Sequence, residues 1–209
     1  MTSSIEPRNT IDAGLDLQRR LGYWETRKHF LYYKAVFQFV SVIGFNANSL
    51  LDVGSASSEY VQWFKWIPNR SILDFRIPNK PVGIKCIETD FFQFNPSEHF
   101  DVVLCCQVLE HLNDPISFCE KLKKVARHLL ISVPYKWIGN APGHVQDPVD
   151  EAKLHSWMNL PPNSQQVVFE PFREGRLIAY YNLVEGPHAR LDKEFIFSAI
   201  AQRAAHAPN

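Results

Sequence analysis

The sequence lacks an excess of charge of either sign. Its 22 lysines and arginines balance 22 aspartates and glutamates, so the formal net charge is +0 at pH 7. Proteins that bind nucleic acid or an anionic membrane surface normally carry a basic patch or stripe. We therefore expect neither of these among the partners of the chain.

Cysteines and long apolar runs are also scarce. The chain has four cysteines: Cys86, Cys105, Cys106 and Cys119. Their spacing fits no zinc finger and no paired-cysteine redox motif, and two of them lie inside an apolar run, which predicts buried, reduced thiols. The longest apolar candidate, residues 35–45, is shorter than the roughly 18 residues of a membrane span, and the N-terminus lacks a secretory pattern. We expect a cytoplasmic protein with no stable membrane insertion.

Glycine is scarce as well, with nine in 209 residues, and one of them has an informative position. Gly54 directly follows the apolar segment Ser49–Val53 and begins a turn of small residues. A strand that ends in such a turn and then opens a helix lets the backbone approach a nucleotide-like ligand closely. Nucleotide-binding loops often have further glycines where this chain has Ala56 and Ser58.

Beyond residue 48, near-continuous apolar runs alternate with crossover segments, which predicts a parallel sheet covered on both faces. The predicted strands are Ser49–Val53, Ser71–Phe75, Val82–Glu88, Asp101–Cys106, His128–Val133, closed by Pro134, Gln166–Glu170 and Arg176–Tyr181.

Three helices are predicted between these strands. The spacing of apolar residues predicts one over Ser58–Ile67. Asp114 is expected to cap the next, with a proline in its first turn. Asp147 begins a third, short helix that continues through Trp157. The segment 191–202 fits a helix or a strand equally well.

One domain is expected for a chain of this length. We divide it into an N-terminal helical extension (residues 1–47), a core (48–184) and a C-terminal segment (185–209). The extension fits either a lid over one edge of the domain or a packing helix.

Small and acidic residues occur where the predicted strands end. In an open parallel sheet, ligands bind beyond the carboxyl ends of the strands. Asp74 ends the second strand, twenty residues after Gly54, which is the spacing expected of a carboxylate that binds ribose hydroxyls. Asp90 follows the third strand and Gln107 follows the fourth.

Four segments in this order resemble the class I S-adenosylmethionine-dependent methyltransferases of the small-molecule type, over about residues 48–182. The segments are Leu51-Asp52-Val53-Gly54, the strand end at Asp74, Thr89-Asp90-Phe91, and Phe100-Asp101-Val102-Val103 followed by Val108-Leu109-Glu110-His111-Leu112. The resemblance implies an α/β fold, namely a three-layer Rossmann-like sandwich with a mostly parallel seven-stranded sheet and an antiparallel strand near the C-terminus. It also implies S-adenosyl-L-methionine as cofactor.

The resemblance implies a role for the turn after the first strand. Gly54, with Ser55 and Ala56, would lie under the methionine moiety and the ribose of the cofactor. Asp52 would help to organise this loop and the methionine ammonium group.

The resemblance also implies roles for the ends of the next three strands. Asp74 would accept hydrogen bonds from the ribose hydroxyls. Asp90 would accept one from the adenine amino group, with Phe91 beside the base. Gln107 would lie with its backbone near the methionine amino group.

Two histidines are the candidate catalytic residues. Methyl transfer to an oxygen nucleophile benefits from a positioned base. His144 is the first candidate, because it lies on a Gly/Pro-rich loop after the fifth strand, and His111 is the second. We predict O-methylation of a small molecule or glycan precursor, with a homodimer kept open as the assembly state.

Two alternatives stay open. A methyltransferase-like binding or scaffold protein without activity is compatible with the single glycine of the first turn. A nicotinamide-dependent oxidoreductase would normally carry a fuller glycine motif there.

No metal site is predicted. Several potential ligands crowd together in the sequence: His144, Asp147, Asp150, Glu151 and His155. They form no compact zinc signature, and helix capping accounts for both aspartates.

Overall fold

The computed structural model describes residues 22–55, 57–138, 141–171 and 174–184. Seven strands within these ranges form one sheet: β1 (Ser49–Val53), β2 (Asn69–Asp74), β3 (Lys85–Glu88), β4 (Phe100–Cys106), β5 (Ala126–Tyr135), β6 (Ser164–Phe169) and β7 (Gly175–Asn182). Their order across the sheet is β3-β2-β1-β4-β5-β7-β6. Strands β1 to β5 pair in parallel, whereas β7 pairs antiparallel with both β5 and β6. The predicted seven-stranded, mostly parallel sheet with an antiparallel strand near the C-terminus is confirmed.

Helices cover both faces of the sheet. Those in the described residues are α1 (Tyr23–Arg27), α2 (Leu31–Ile43), α3 (Pro115–Lys123) and α4 (Glu151–Met158). Strand residues alternate between two cores, since successive side chains point to opposite faces. Leu51 packs in the core with α3 and α4, and Leu50 in the core with α2. The three-layer sandwich is therefore also as predicted.

The predicted helix over Ser58–Ile67 is wrong, because a single 3-10 turn, Tyr60–Trp63, occupies this segment. The apolar residues of the pattern are nevertheless all buried: Tyr60, Val61, Phe64 and Ile67. The rings of Tyr60 and Phe64 pack edge to face, with centroids 6.2 Å apart. The periodicity thus predicted correctly which residues are buried, because a short apolar segment can bury these side chains without forming a regular helix.

Two predicted strand boundaries are also corrected. β3 begins at Lys85 instead of Val82, because Ile84 N–H donates to the Pro81 carbonyl (3.3 Å) and closes a turn. β5 continues through Pro134, which was predicted to close it. Gln107 N–H donates to the Ser132 carbonyl, which shows that the backbone of Ser132 faces β4. The backbone of Pro134, two residues further, faces the same side. Since β4 has already ended there, the missing N–H of Pro134 costs no hydrogen bond of the sheet.

The helix caps are confirmed in one case and corrected in the other. Asp114 Oδ1 accepts a hydrogen bond from Ser117 N–H (3.0 Å) and caps α3 as predicted. At α4 the cap is Asp150, whose Oδ1 accepts from Lys153 N–H (2.9 Å). Asp147 was predicted to cap this helix and instead pairs with His144.

The N-terminal helices pack against the sheet through a charged cap. The buried Glu170 carboxylate accepts hydrogen bonds from Leu31 N–H (3.0 Å) and Tyr32 N–H (2.9 Å), at the first turn of α2. None of the described helices has the length and apolar character that crossing a membrane would require. Residues 1–21 and the predicted C-terminal segment 185–209, including 191–202, lie outside the described residues.

Candidate active site

A cavity of about 340 Å³ lies at the carboxyl ends of β1, β2 and β4. Its volume falls within the roughly 300–1,000 Å³ of small-molecule sites. The neighbouring strands β1 and β4 connect to opposite sides of the sheet order, which is the switch point where ligands bind in open α/β sheets. Gly54, Asp74, Gln107 and His111, all predicted site residues, line this cavity.

The turn after β1 is shaped by Gly54. Its φ is +78°, in the left-handed region, and its N–H donates to the Leu73 carbonyl of β2 (2.8 Å). A Cβ at this position would lie 2.5 Å from Cγ2 of Val108, so a side chain has no room. Ser55 follows with a buried Oγ that has no hydrogen-bond partner among the described residues and lines the cavity. Ala56, also predicted here, falls outside the described residues.

The ends of β2 and β4 contribute one polar side chain each to the cavity. Asp74 is half-buried, and its Oδ1 accepts a hydrogen bond from Phe75 N–H (2.7 Å). Gln107 has a φ of 58°, an uncommon value for a residue other than glycine, and its Nε2 donates to Ser132 Oγ (3.2 Å). Backbone strain of this kind tends to occur where a binding site requires it.

Asp52 lies beneath the cavity and does not line it. The side chain is fully buried, and its Oδ1 accepts a hydrogen bond from the Tyr60 hydroxyl (2.7 Å). Oδ2 has no partner among the described residues. Burial raises the pKa of this carboxyl to about 7, and the Tyr60 hydrogen bond opposes the shift. The proposed contact with a methionine ammonium group stays a prediction.

Asp90 and Phe91 lie outside the lining of the cavity. Asp90 Oδ1 accepts from Phe92 N–H (2.8 Å) and caps the 3-10 turn Phe91–Gln93. The Phe91 ring is buried against Phe118, with centroids 4.7 Å apart. Their roles at the adenine stay predictions.

The two candidate catalytic histidines lie side by side. The rings of His111 and His144 meet edge to face, with centroids 4.7 Å apart. His111 Nδ1 donates to the Gly143 carbonyl (2.9 Å), and His144 Nδ1 is 2.6 Å from Asp147 Oδ2. His111 lines the cavity, whereas His144 lies behind it and stacks on Trp137.

Backbone hydrogen bonds bring the two histidines together. The N–H groups of Val145 (2.9 Å) and Gln146 (3.2 Å) both donate to the carbonyl of Glu110. The loop after β5 is thereby fixed on the 3-10 turn Leu109–His111 after β4. This pairing over more than thirty residues of sequence is what places His144 beside His111.

Glu110 and Asp147 are two site residues that the sequence reasoning missed. Glu110 is 1% exposed, and its Oε2 has no partner among the described residues. Burial raises the pKa of the Glu110 carboxyl to about 8, and the nearby Asp147 adds to the shift. A carboxylate inside an otherwise apolar segment that follows a strand was the signal for Glu110. The three-residue spacing from His144 was the signal for Asp147.

Comparison with known proteins agrees with this architecture. Residues 51–129 match the model of a family described as a methyltransferase domain. No curated protein matches the chain significantly.

Several solved structures have a similar fold. The 1,6-didemethyltoxoflavin-N1-methyltransferase of Burkholderia thailandensis, solved with S-adenosylhomocysteine, is 14% identical with a TM-score of 0.62, over 86% of this chain and 92% of that one. The N-methyltransferase NodS of Bradyrhizobium japonicum WM9 is 18% identical with a TM-score of 0.60, over 82% and 98%. The N-terminal domain of EvdMO1, solved with S-adenosylhomocysteine and D-fucose, is 15% identical with a TM-score of 0.55, over 87% and 99%.

The family match begins in β1, directly before the Gly54 turn, and ends in β5, so it spans the strands that form the cavity. Over these residues the chain is similar to methyltransferase domains, and its order of strands agrees with that similarity.

Proposed function

We propose that this chain is a class I S-adenosylmethionine-dependent methyltransferase. It would bind S-adenosyl-L-methionine at the Gly54 side of the cavity and methylate a hydroxyl group of a small molecule or glycan precursor at the His111 side. The observation that carries the proposal is the single cavity lined both by the Gly54 turn with Asp74 and by His111. Cofactor and acceptor would then meet within one cavity, and alignment of two reactants can contribute roughly 7–11 kcal/mol to catalysis.

The residues of the first side fit the cofactor. Gly54 presents backbone without a side chain, and Ser55 Oγ is a buried polar atom that lacks a partner among the described residues. The Asp74 carboxylate would accept hydrogen bonds from the ribose hydroxyls. When bound, S-adenosylmethionine supplies a methyl group on a positively charged sulfur.

The residues of the other side suit an oxygen nucleophile. The acceptor oxygen would form a bond to the methyl carbon while the carbon–sulfur bond breaks, with its electron pair remaining on sulfur. The hydroxyl proton must leave, and the cluster of His111, His144 and Asp147 provides the groups that favour its loss. His111 is the nearer of the two histidines, since it lines the cavity.

We also propose that the N-terminal extension covers the acceptor. Tyr23 of α1 and Tyr32 and Tyr33 of α2 line the cavity together with the strand ends. Aromatic rings of this kind bury the apolar faces of sugars and of aromatic compounds. A glycan acceptor takes further support from the likeness in fold to the EvdMO1 domain, which was solved with D-fucose. The likeness to two N-methyltransferases makes the acceptor atom a point for experiment.

Two measurements test the proposal. Calorimetric titration with S-adenosylhomocysteine should give saturable binding, whereas no binding would favour an inactive scaffold. Incubation with S-adenosylmethionine and a panel of sugars, phenols and amines, read by mass spectrometry and NMR, should give O-methylated products. Products methylated only on nitrogen would overturn the choice of acceptor and leave the cofactor assignment intact.

A further inference from the structure

Three potential metal ligands converge at the His111 edge of the cavity. Glu110, His111 and His144 each offer one ligand atom, and these three atoms lie within 4.8 Å of one another. They come from two segments, the turn after β4 and the loop after β5. The residues whose spacing in the sequence gave no zinc signature included His144 but neither Glu110 nor His111.

The hydrogen bonds that the two imidazole rings make through Nδ1 fit metal binding at the other ring nitrogen. The Gly143 carbonyl can only accept, so the proton of His111 is on Nδ1 and its Nε2 is left as an electron-pair donor. Asp147 holds Nδ1 of His144 in the same way. An oxygen acceptor on the far nitrogen is the usual outer partner of a metal-bound histidine.

Two buried carboxyl oxygens without partners supply an independent observation. Glu110 Oε2 and Asp147 Oδ1 are both buried, and neither has a hydrogen-bond partner among the described residues. Burying a carboxylate without a partner is costly, so such a group takes up a proton, pairs with a cation or binds a metal, and a bound metal ion would take the place of the proton.

We propose that Glu110, His111 and His144 bind a divalent metal ion of the zinc type and that this ion binds the acceptor oxygen. Asp147 would orient the His144 ring. Two imidazoles and one carboxylate form a ligand set of catalytic zinc sites, which keep a position open for a further ligand. Because His111 also lines the cavity, the open position would face the acceptor. The metal would lower the pKa of the bound hydroxyl, and the released proton would pass to solvent at the exposed edge of His111.

The role at the acceptor rests on the proposed function, whereas metal binding itself does not. The test therefore measures the metal directly. The full chain is stripped with a chelator, incubated with Zn²⁺, freed of excess metal by gel filtration and analysed by mass spectrometry for zinc. We expect about one ion per chain. Less than about a tenth of an ion per chain would overturn the proposal.

Variants locate the ion. His144→Ala and Glu110→Gln should lose most of the zinc, and Asp147→Asn should weaken binding by roughly 10- to 100-fold. His111→Asn alters an exposed side chain and serves where His144→Ala fails to fold. The matched control is His155→Asn, whose ring contacts Gln165 at 3.0 Å and lies outside the cluster. Unchanged zinc in all cluster variants, or an equal loss in the control, would overturn the assignment.

Titration of the same samples with S-adenosylhomocysteine separates the two proposals. Cofactor binding by Glu110→Gln at the wild-type affinity, together with lost zinc, supports both proposals. Zinc binding by a wild-type chain that does not bind S-adenosylhomocysteine would overturn the proposed function and leave the metal site standing.

Discussion

Two glycines with positive φ, Gly54 and Gly143, both contact the segment 107–112, and they differ in the kind of side chain that each contacts. Gly54 has a φ of +78°, and a Cβ there would lie 2.5 Å from the Val108 methyl group. Gly143 has a φ of +80°, and a Cβ there would lie 3.2 Å from His111 Nδ1. The first contact is one of backbone against a packed apolar side chain, at the proposed cofactor side of the cavity. The second is one of backbone against a polar side chain, at the proposed acceptor side.

We expect the largest effect from Gly54→Ala. A non-glycine residue at this φ costs about 1–3 kcal/mol, and the new Cβ must also displace Val108, which is stiff because it is β-branched. The free energy of unfolding should fall by that amount, and affinity for S-adenosylhomocysteine should fall by at least about tenfold. Urea unfolding and calorimetry measure the two quantities.

The double variant Gly54→Ala with Val108→Ala separates the two causes. Removing the Val108 methyl groups relieves the contact and leaves the backbone strain, so affinity should recover in part. Wild-type affinity in the single variant would contradict the view that the cofactor side depends on close backbone packing.

Gly143→Ala should have a smaller effect and a different one. Alanine would meet the same backbone strain here as at Gly54. The closest atom, however, is a side-chain nitrogen at 3.2 Å, so His111 has to shift by only a few tenths of an ångström, which weakens its hydrogen bond to the Gly143 carbonyl. We expect affinity for Zn²⁺ to fall by about tenfold, as for a weakened outer partner, while affinity for S-adenosylhomocysteine stays as in the wild type. An equal fall in both affinities would mean that the two sides of the cavity are one unit.

Asp52, which lies beneath the cavity, gives the stability of this region a dependence on pH. Burial raises the pKa of this carboxyl from 3.8 to about 7. Between about pH 4 and pH 7 the unfolded chain therefore binds fewer protons than the folded chain, and stability falls as the pH rises, by at most roughly 1.4 kcal/mol per pH unit. Asp52→Asn removes this contribution, which urea unfolding at pH 5 and pH 7 would detect.

Tyr60→Phe is the matched control for this titration. The Tyr60 hydroxyl donates to Asp52 Oδ1 and lowers the pKa of the carboxyl, so its removal should extend the fall in stability to higher pH. The same slope in wild type and Asp52→Asn would show that other groups cause the pH dependence.

Residues at strand ends could be predicted from the sequence, whereas the partners brought together by contacts between loops could not. Gly54 directly follows β1 and Asp74 is the last residue of β2, so apolar runs and strand ends were enough to place them at the cavity. His144 was predicted as a site residue, but its partner was not, because a helix cap was the simplest role for an aspartate before a proline. Hydrogen bonds between segments, above all those from 145 and 146 to the Glu110 carbonyl, bring Asp147, His144 and Glu110 together. Contacts of this range leave no periodic signal in a sequence.

The smallest expected effect concerns the cap that ends the histidine loop. Asp150→Ala removes the acceptor for Lys153 N–H at the start of α4, and loss of such a cap costs about 1 kcal/mol of stability. Asp114→Ala removes the equivalent acceptor at α3 and should cost a similar amount, which makes it the matched control. Chemical unfolding measures both variants.

Affinity for Zn²⁺ decides what the Asp150 result means for the acceptor side. The loop is already fixed by hydrogen bonds to the Glu110 carbonyl, by Gln146 Nε2 to the Leu112 carbonyl (2.8 Å) and by Lys153 Nζ to the Gln146 carbonyl. We therefore expect both cap variants to bind zinc as the wild type does. If Asp150→Ala weakens zinc binding as much as Gly143→Ala, while Asp114→Ala does not, the helix start is part of what holds His144. The acceptor side would then depend on the whole segment from 143 to 158, and the cofactor side would still depend on one turn.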